Sequence, residues 1–262
     1  MIENNASHPL GYQETQDALA IRIRAHQEYS NFSLEEWIEN NLPLNPGGTL
    51  LDIGCGDGNL FPSYAEKLRG RGAIVGGDQS EELLAKAAKR LDSIPTILFR
   101  LDMNDSLSFV ANSFNIVVST FAIYYVDDVE RIVTDIKRVL APGGSLILIG
   151  PTSQNAIELY SFNEKLFGFG MDEKGARRTD RLEKEFAPAL QAVFGDLKII
   201  KIPCKLVFPG REQFIRYYLA TLLYQESIKK TGKKPTREEL AAAVMPFYEI
   251  SKEMIVLHGQ KS

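Results

Sequence analysis

The feature with chemical consequence is an acidic residue at the end of an apolar run, followed by three glycines spaced two apart: Leu50-Leu51-Asp52-Ile53-Gly54-Cys55-Gly56-Asp57-Gly58. Glycine at 54, 56 and 58 lets the backbone turn sharply and lie against a ligand where a Cβ would collide. Leu60 to Leu68 continue at helical spacing, so the loop ends on a helix N-terminus, whose free N–H groups suit an anion. Twenty residues after Gly58 a second apolar run, Ala73 to Gly77, ends in Asp78. A carboxylate at a strand's C-terminal edge can accept two hydrogen bonds from a ribose diol. Together these are the parts of a nucleotide-cofactor loop. The dinucleotide fingerprint Gly-x-Gly-x-x-Gly would need glycine at 59, where this chain has Asn59.

The elements that must hold these residues are legible in the apolar pattern. Thr49–Ile53, Ala73–Gly77, Thr96–Leu101, Phe114–Val118 and Ser145–Gly150 read as short buried strands. Ser80 caps a helix through Leu91, a further helix runs from about Asp128 to Leu140, and Ala141-Pro142-Gly143-Gly144 is a turn. The third strand delivers Asp102-Met103 and the fourth Ser119-Thr120-Phe121. Before this core, residues 13–28 read as helical, and Ser33-Leu34-Glu35-Glu36 is a capping-box pattern opening a helix to about Asn41. After it come helices over 156–167 and 179–193 separated by a glycine-bearing loop, a strand over 197–207, helices over 211–227 and 236–247, and a last strand over 254–258.

Run in this order, the acidic residue before Gly-x-Gly-x-Gly, Asp78, Asp102-Met103, Ser119 and the Arg138-Val139-Leu140-x-Pro142-Gly143-Gly144 segment resemble the class I S-adenosylmethionine-dependent methyltransferases over residues 49–150. The resemblance implies a doubly wound α/β fold: a Rossmann-like sheet of seven strands, mostly parallel with the last antiparallel, plus a helical cap. It also implies roles. Asp52 and the backbone at Gly54 would hold the methionine end of S-adenosylmethionine, Cys55 and Gly56 would also bind the cofactor, and Asp78 would hold the ribose hydroxyls and Gln79 one face of the adenine. Asp102 would accept from the adenine amino group beside the Met103 backbone, and Ser119 would offer a carbonyl near the methionine amine. Phe121 and Tyr124 would face the substrate. The roughly 45 residues between the last two strands depart from the minimal core and resemble small-molecule members, including trans-aconitate and carrier-protein-linked malonyl carboxyl methyltransferases.

On this reading the chain is a single methyltransferase domain over 1–262: N-terminal helices 13–41, a cofactor core 49–150, a helical lid 151–196, and strands 197–207 and 254–258 enclosing an insertion, 211–249. Its length suffices to bury a substantial core. Phe214, Tyr217, Tyr218, Leu222 and Tyr224 form an aromatic-rich face that suits either core packing or the wall of a partly wet pocket, so Tyr217 and Tyr218 join Phe121 and Tyr124 as substrate-pocket candidates. Methyl transfer from a sulfonium asks for alignment more than for acid–base chemistry. A hydroxyl acceptor would gain from a base, for which His26, Tyr29 and Tyr124 are candidates; a carboxylate needs none.

Composition narrows the function classes. The two cysteines, Cys55 and Cys204, make no disulfide framework, and a reducing cytoplasm is the compartment expected. Three histidines, His8, His26 and His258, form no metal-ligand cluster with them, so no metal is expected. No apolar run approaches the roughly 20 residues that span a bilayer. Residues 1–150 carry 12 Lys+Arg against 20 Asp+Glu and the remainder 18 against 14, an asymmetry that suits an anionic small molecule entering from the second part or simply solvated helix faces. The acidic cofactor half and a fourth-strand exit of Ser119-Thr120-Phe121-Ala122, in place of Asn/Asp-Pro-Pro-aromatic, speak against a nucleic-acid amino methyltransferase. The expectation is methyl transfer to an oxygen or nitrogen of a small molecule; a non-catalytic cofactor-binding scaffold or activator and a nicotinamide oxidoreductase are the alternatives.

Overall fold

The computed structural model describes residues 16–90, 95–243 and 248–262, in two compact units. The expected helix ends at Leu91 and Phe247, the expected start at residue 13, and His8 lie outside them.

The first unit described is a sheet flanked by helices, formed by residues 33–152, 180–202 and 254–262. Its chain order is α2 (Leu34–Asn41), β1 (Thr49–Ile53), α3 (Phe61–Leu68), β2 (Ala73–Asp78), α4 (Glu81–Ala87), β3 (Thr96–Arg100), β4 (Phe114–Thr120), α5 (Val129–Val139) and β5 (Leu140–Pro151). The end of α7 (Glu173–Arg181), α8 (Ala187–Phe194), β6 (Leu197–Ile202) and β9 (Met254–Gln260) complete it. The strands lie in the order β3-β2-β1-β4-β5-β9-β6. Six run in one direction, and β9, between β5 and β6, runs antiparallel to both, as the seven-strand expectation has it. Four of the five residues of β1 are buried, the signature of a central strand covered on both faces. On one face Leu51, Ile53, Val117, Leu146 and Leu148 pack with Ile132, Val133, Ile136 and Val139 of α5 and with Leu182, Phe186 and Leu190. On α3, Phe61 packs where a Cβ on Gly76 would come within 2.7 Å of its ring, which explains a glycine in mid-strand.

The second unit, residues 16–32, 153–179 and 203–243 with 248–253, is helical apart from a two-stranded ribbon. It holds α1 (Gln16–Tyr29), α6 (Ile157–Phe167), most of α7, α9 (Arg211–Leu219), α10 (Leu222–Thr231) and α11 (Arg237–Ala242), with β7 (Lys205–Val207) pairing antiparallel to β8 (Glu249–Ser251). Its core is aromatic: Phe162 stacks edge-on against Phe214 and Tyr218 at centroid distances of 5.0 and 4.8 Å. Asn163, fully buried, accepts from the Tyr218 hydroxyl at 2.5 Å and the Ser227 hydroxyl at 3.0 Å and donates to the Phe169 carbonyl. Both acceptor sites and one donor of that amide are thereby used within the core.

Several elements differ from the sequence reading. The single strand expected over 197–207 is two: β6 ends at Ile202, and Pro203, which has no N–H to give a ladder, precedes the departure of the chain into the ribbon. The helix expected over 211–227 breaks at Thr221, whose extended backbone and hydroxyl cap α10 by accepting from Tyr224 N–H. The helix over 179–193 is α7, a wide π turn over Leu182–Phe186 and α8; Pro188, in the first turn of α8, cannot supply an intrahelical donor. The segment expected as one lid, 151–196, divides between the units, because Leu182, Phe186 and Leu190 recur four apart and are fully buried in the sheet core. At the start of α11 the Thr236 hydroxyl accepts from Glu239 N–H and the Glu239 carboxylate accepts from Thr236 N–H, a complete capping box.

Candidate cofactor site

The strand order reverses between β1 and β4, the place where open α/β sheets leave a crevice beyond the carboxyl ends of their strands. The glycine loop leaves β1 there. It is tied to β2 by the Gly77 carbonyl, which accepts from Gly54 N–H at 2.8 Å and Cys55 N–H at 3.1 Å. Gly54 has φ +78°, and a Cβ on it would stand 2.2 Å from the Ala122 Cβ, so this position admits only glycine while the exit of β4 lies against the loop. At that exit Phe121 has φ +54°, a left-handed conformation costly for a bulky aromatic residue and held by its N–H bond to the Ile149 carbonyl.

Asp78 organises the loop. One carboxylate oxygen accepts from Gly56 N–H and the other from Ser80 N–H, both at 2.9 Å, while the Ser80 hydroxyl caps α4 through Leu83 N–H. Burial pushes its pKa up, and the backbone N–H groups of Ser80, Gly56 and Gln79 oppose that shift. Each oxygen keeps a second lone pair, so the loop contacts leave Asp78 able to receive two hydroxyl donors.

Asp52 is different. It is 3 % exposed; its Oδ2 accepts from the Tyr64 hydroxyl of α3 at 3.3 Å, and its Oδ1 is buried without a hydrogen-bond partner. A buried carboxylate oxygen with no donor is costly, and the usual resolution is either a proton or a cationic ligand. Burial raises the Asp52 pKa to about 7, the Tyr64 hydrogen bond pulls it down, and the Asp78 charge adds to the rise. Tyr64 itself, fully buried and next to Asp52, stays a neutral phenol far beyond neutral pH.

The remaining expected cofactor residues lie at the same ends of the strands. Gln79 and Asp102 are exposed, with Asp102 Oδ1 accepting from Asn104 N–H. The Met103 carbonyl accepts from the Arg131 guanidinium, which also reaches the Asp105 carbonyl and so holds the loop after β3. The Ser119 hydroxyl is committed to the Ile53 carbonyl at 2.6 Å, leaving the backbone as its contribution. Cys55 is buried, and burial drives its thiol far above the range in which a thiolate forms, so it is a packing residue. A buried acid with an orphan oxygen, a glycine cradle and two exposed polar side chains fit a ligand carrying a cation, a diol and a flat base.

The catalytic and pocket candidates separate. Tyr124 is buried in the sheet unit, its ring 4.7 Å from that of Tyr125. Its carbonyl accepts from Arg181, a fully buried guanidinium that also bonds the Val126 and Asp127 carbonyls and pairs with Glu185 at 2.9 Å. Arg181 thus sets the turn after Phe121. His26, Tyr29, Tyr217 and Tyr218 belong to the helical unit. Loss of solvation, with Lys252 and Arg22 adding, lowers the His26 pKa to about 3, so it is neutral at pH 7. Tyr29 packs on Phe208, and its hydroxyl bond to Glu28 raises its pKa. Tyr217 and Tyr218 are 3 % and 0 % exposed. Against the pocket-wall expectation, their aromatic face is interior, and the Tyr218 hydroxyl is spent on Asn163.

Sequence reasoning missed Tyr64, Ala122 and Arg181. Nothing local marks them, since each acts on a residue 12 or more positions away. Among the described residues no three metal-binding side chains converge, and no helix is long and apolar enough to cross a membrane.

Known proteins resemble this chain in sequence and in fold. Residues 51–148 match the family described as "Methyltransferase domain". A ubiquinone/menaquinone biosynthesis C-methyltransferase, UbiE of Hydrogenovibrio crunogenus, is 27 % identical over 129 residues, 46 % of this chain and 51 % of that protein. The matched region thus spans about half the length of this curated relative. Among solved structures, the YcgJ protein of Bacillus subtilis superposes with a TM-score of 0.60 at 17 % identity, covering 87 % of this chain and 97 % of that one. A phosphoethanolamine N-methyltransferase of Haemonchus contortus, solved with phosphomonomethylethanolamine and S-adenosylhomocysteine, gives 0.54 at 19 % identity over 86 % of this chain and 51 % of that one.

Proposed function

We propose that this chain, whose residues 51–148 belong to the class I S-adenosylmethionine-dependent methyltransferase family, transfers a methyl group from S-adenosylmethionine to an oxygen or nitrogen atom of a small molecule, a carboxylate being one such acceptor. The observation that carries the cofactor assignment is the buried, unpartnered Oδ1 of Asp52 beside the glycine loop. S-adenosylmethionine supplies, when bound, an activated methyl group on a sulfonium. Asp52 would hold the ammonium end, Gly54 and Gly56 would present backbone, and Asp78 would receive the ribose hydroxyls on its spare lone pairs. Gln79 would cover one face of the adenine, with Asp102 and the Met103 backbone at its edge. The Ser119 carbonyl and the strained Phe121 would line the opening toward the acceptor.

The relatives named above act on carbon and on nitrogen, so the acceptor atom rests on this chain's own residues. A carboxylate acceptor suits a site whose nearby phenol, Tyr124, is buried, since that chemistry asks for no base. The test is incubation with methyl-labelled S-adenosylmethionine and fractionated small molecules, followed by mass spectrometry. A labelled carboxylate ester, ether or N-methyl product supports the proposal. Label on carbon would overturn the acceptor assignment, and tight cofactor binding with no product from any fraction would favour a non-catalytic scaffold.

A further inference from the structure

The Asp52–Tyr64 pair is the buried titratable cluster that ligand contacts alone do not explain. Asp52 sits on β1 in register with Gly76 of β2 and Val118 of β4, inside the sheet, and not at its wet edge. The groups acting on its carboxyl are the Tyr64 phenol from α3, the Asp78 carboxylate from β2 and the enclosing protein; the Cys55 thiol of the loop in turn feels the Asp52 charge. The Thr120 hydroxyl of β4, also buried, adjoins the phenol. Those neighbours include one hydrogen-bond donor to Asp52 and one negative charge, a setting that favours a protonated carboxyl until a positive charge arrives.

We propose that Asp52 is a proton-linked ligand group: it holds a proton in the free protein and releases it to solvent as the cationic end of the cofactor binds, with Tyr64 as the positioning residue that keeps the ionised carboxylate in place. The inference rests on the cofactor assignment above. The step balances simply. The O–H bond of the Asp52 carboxyl breaks, its electron pair stays on oxygen, the proton goes to water or buffer, and the new negative charge faces the ligand's ammonium. Tyr64 keeps its own proton throughout and donates it as a hydrogen bond to Oδ2, which favours the charged form.

The experiment is calorimetric titration of the full chain with S-adenosylhomocysteine between pH 6 and 8.5, in buffers of different ionisation enthalpy. The parent protein is expected to release close to one proton per ligand at pH 6, about half of one near pH 7 and little at pH 8.5, the profile of a single group titrating near neutrality. Asp52→Asn has no proton to release, and at pH 6 to 7, where the ligand's amino group is already protonated before it binds, the difference between the two chains isolates Asp52. Tyr64→Phe keeps the ring in its buried site and removes only the hydroxyl, so its release profile should move to higher pH while the chain stays folded. A buffer-independent enthalpy at normal affinity overturns the proton linkage and leaves the cofactor assignment standing. Failure of the folded parent chain to bind at any pH overturns the cofactor assignment itself. A Tyr64→Phe profile superimposable on the parent's overturns the positioning role, and because the parent profile needs no variant, misfolding of either substitution leaves the linkage tested.

Discussion

Replacing Gly54 by alanine probes the contact on which the candidate site depends. The new Cβ would lie 2.2 Å from the Ala122 Cβ, whereas carbon atoms pack at about 3.5–4.0 Å, so loop and β4 exit must separate by more than about 1.3 Å. Two costs combine. Alanine at φ +78° carries a left-handed penalty of about 1–2 kcal/mol, and the overpacking adds about 1–3 kcal/mol. The variant should therefore lose about 2–5 kcal/mol in urea unfolding and bind S-adenosylhomocysteine at least about tenfold more weakly. A second substitution, Ala122→Gly, separates the two costs. With the Ala122 methyl gone, the nearest neighbours of the new Cβ are the Ala122 Cα at 3.7 Å and Met103 Cε at 3.8 Å, both ordinary contacts. The double variant should recover the steric part and retain the conformational part, giving a coupling energy of about 1–3 kcal/mol in the cycle. A coupling below about 0.5 kcal/mol, or a Gly54→Ala protein as stable as its parent, would refute the claim that glycine is required because the β4 exit lies on the loop.

Asp78→Ala should cost about 1–3 kcal/mol of stability, because it strips the Gly56 and Ser80 N–H groups of their acceptors, and should weaken the cofactor roughly 30-fold. Asp78→Asn keeps one acceptor oxygen but turns an NH2 donor toward the other backbone N–H, so it should recover only part of that stability while still binding weakly; normal affinity in that variant, measured by calorimetry, would remove the ribose role. His26 has a folded pKa of about 3 against 6.5 unfolded, so its contribution to stability is complete above pH 6.5 and is lost as pH falls toward 3. His26→Asn should flatten the pH dependence of unfolding in that window, and an unchanged slope would show that the histidine titrates normally. Tyr218→Phe should lower stability by about 1–2 kcal/mol by leaving Asn163 one donor short, without altering KM for the acceptor. A selective KM change would return Tyr218 to the pocket wall.

The sequence carried the sheet unit well because its signals are local. A buried strand shows as an unbroken apolar run, and glycines and caps mark where such runs end. Gly54, Asp78 and Asp102 sit at or just past strand ends, with Asp52 one residue inside the end of β1, and so could be assigned to one side of a parallel sheet before any contact was known. The helical parts were harder for the same reason. Pro203 and Thr221 each interrupt an apolar pattern that continues on both sides, so periodicity alone joined β6 to β7 and α9 to α10. An aromatic stripe is the same string whether it packs inward or lines a pocket, and only the contacts of Tyr217 and Tyr218 assign it to the core of the helical unit.

By itself the sequence determined the strands and helices of the sheet unit through β5, the glycine loop and the acids near it, since these follow from side-chain type at short range. The tertiary structure alone decided what each acid is able to do. Asp78 is occupied by the loop it braces, while Asp52 keeps an oxygen without a donor. That difference arises from distant residues: Tyr64 reaching Asp52 across 12 positions, and Ala122 closing on Gly54 across 68. Burial and hydrogen-bond satisfaction are properties of the packed neighbourhood, and no window of the chain contains that neighbourhood.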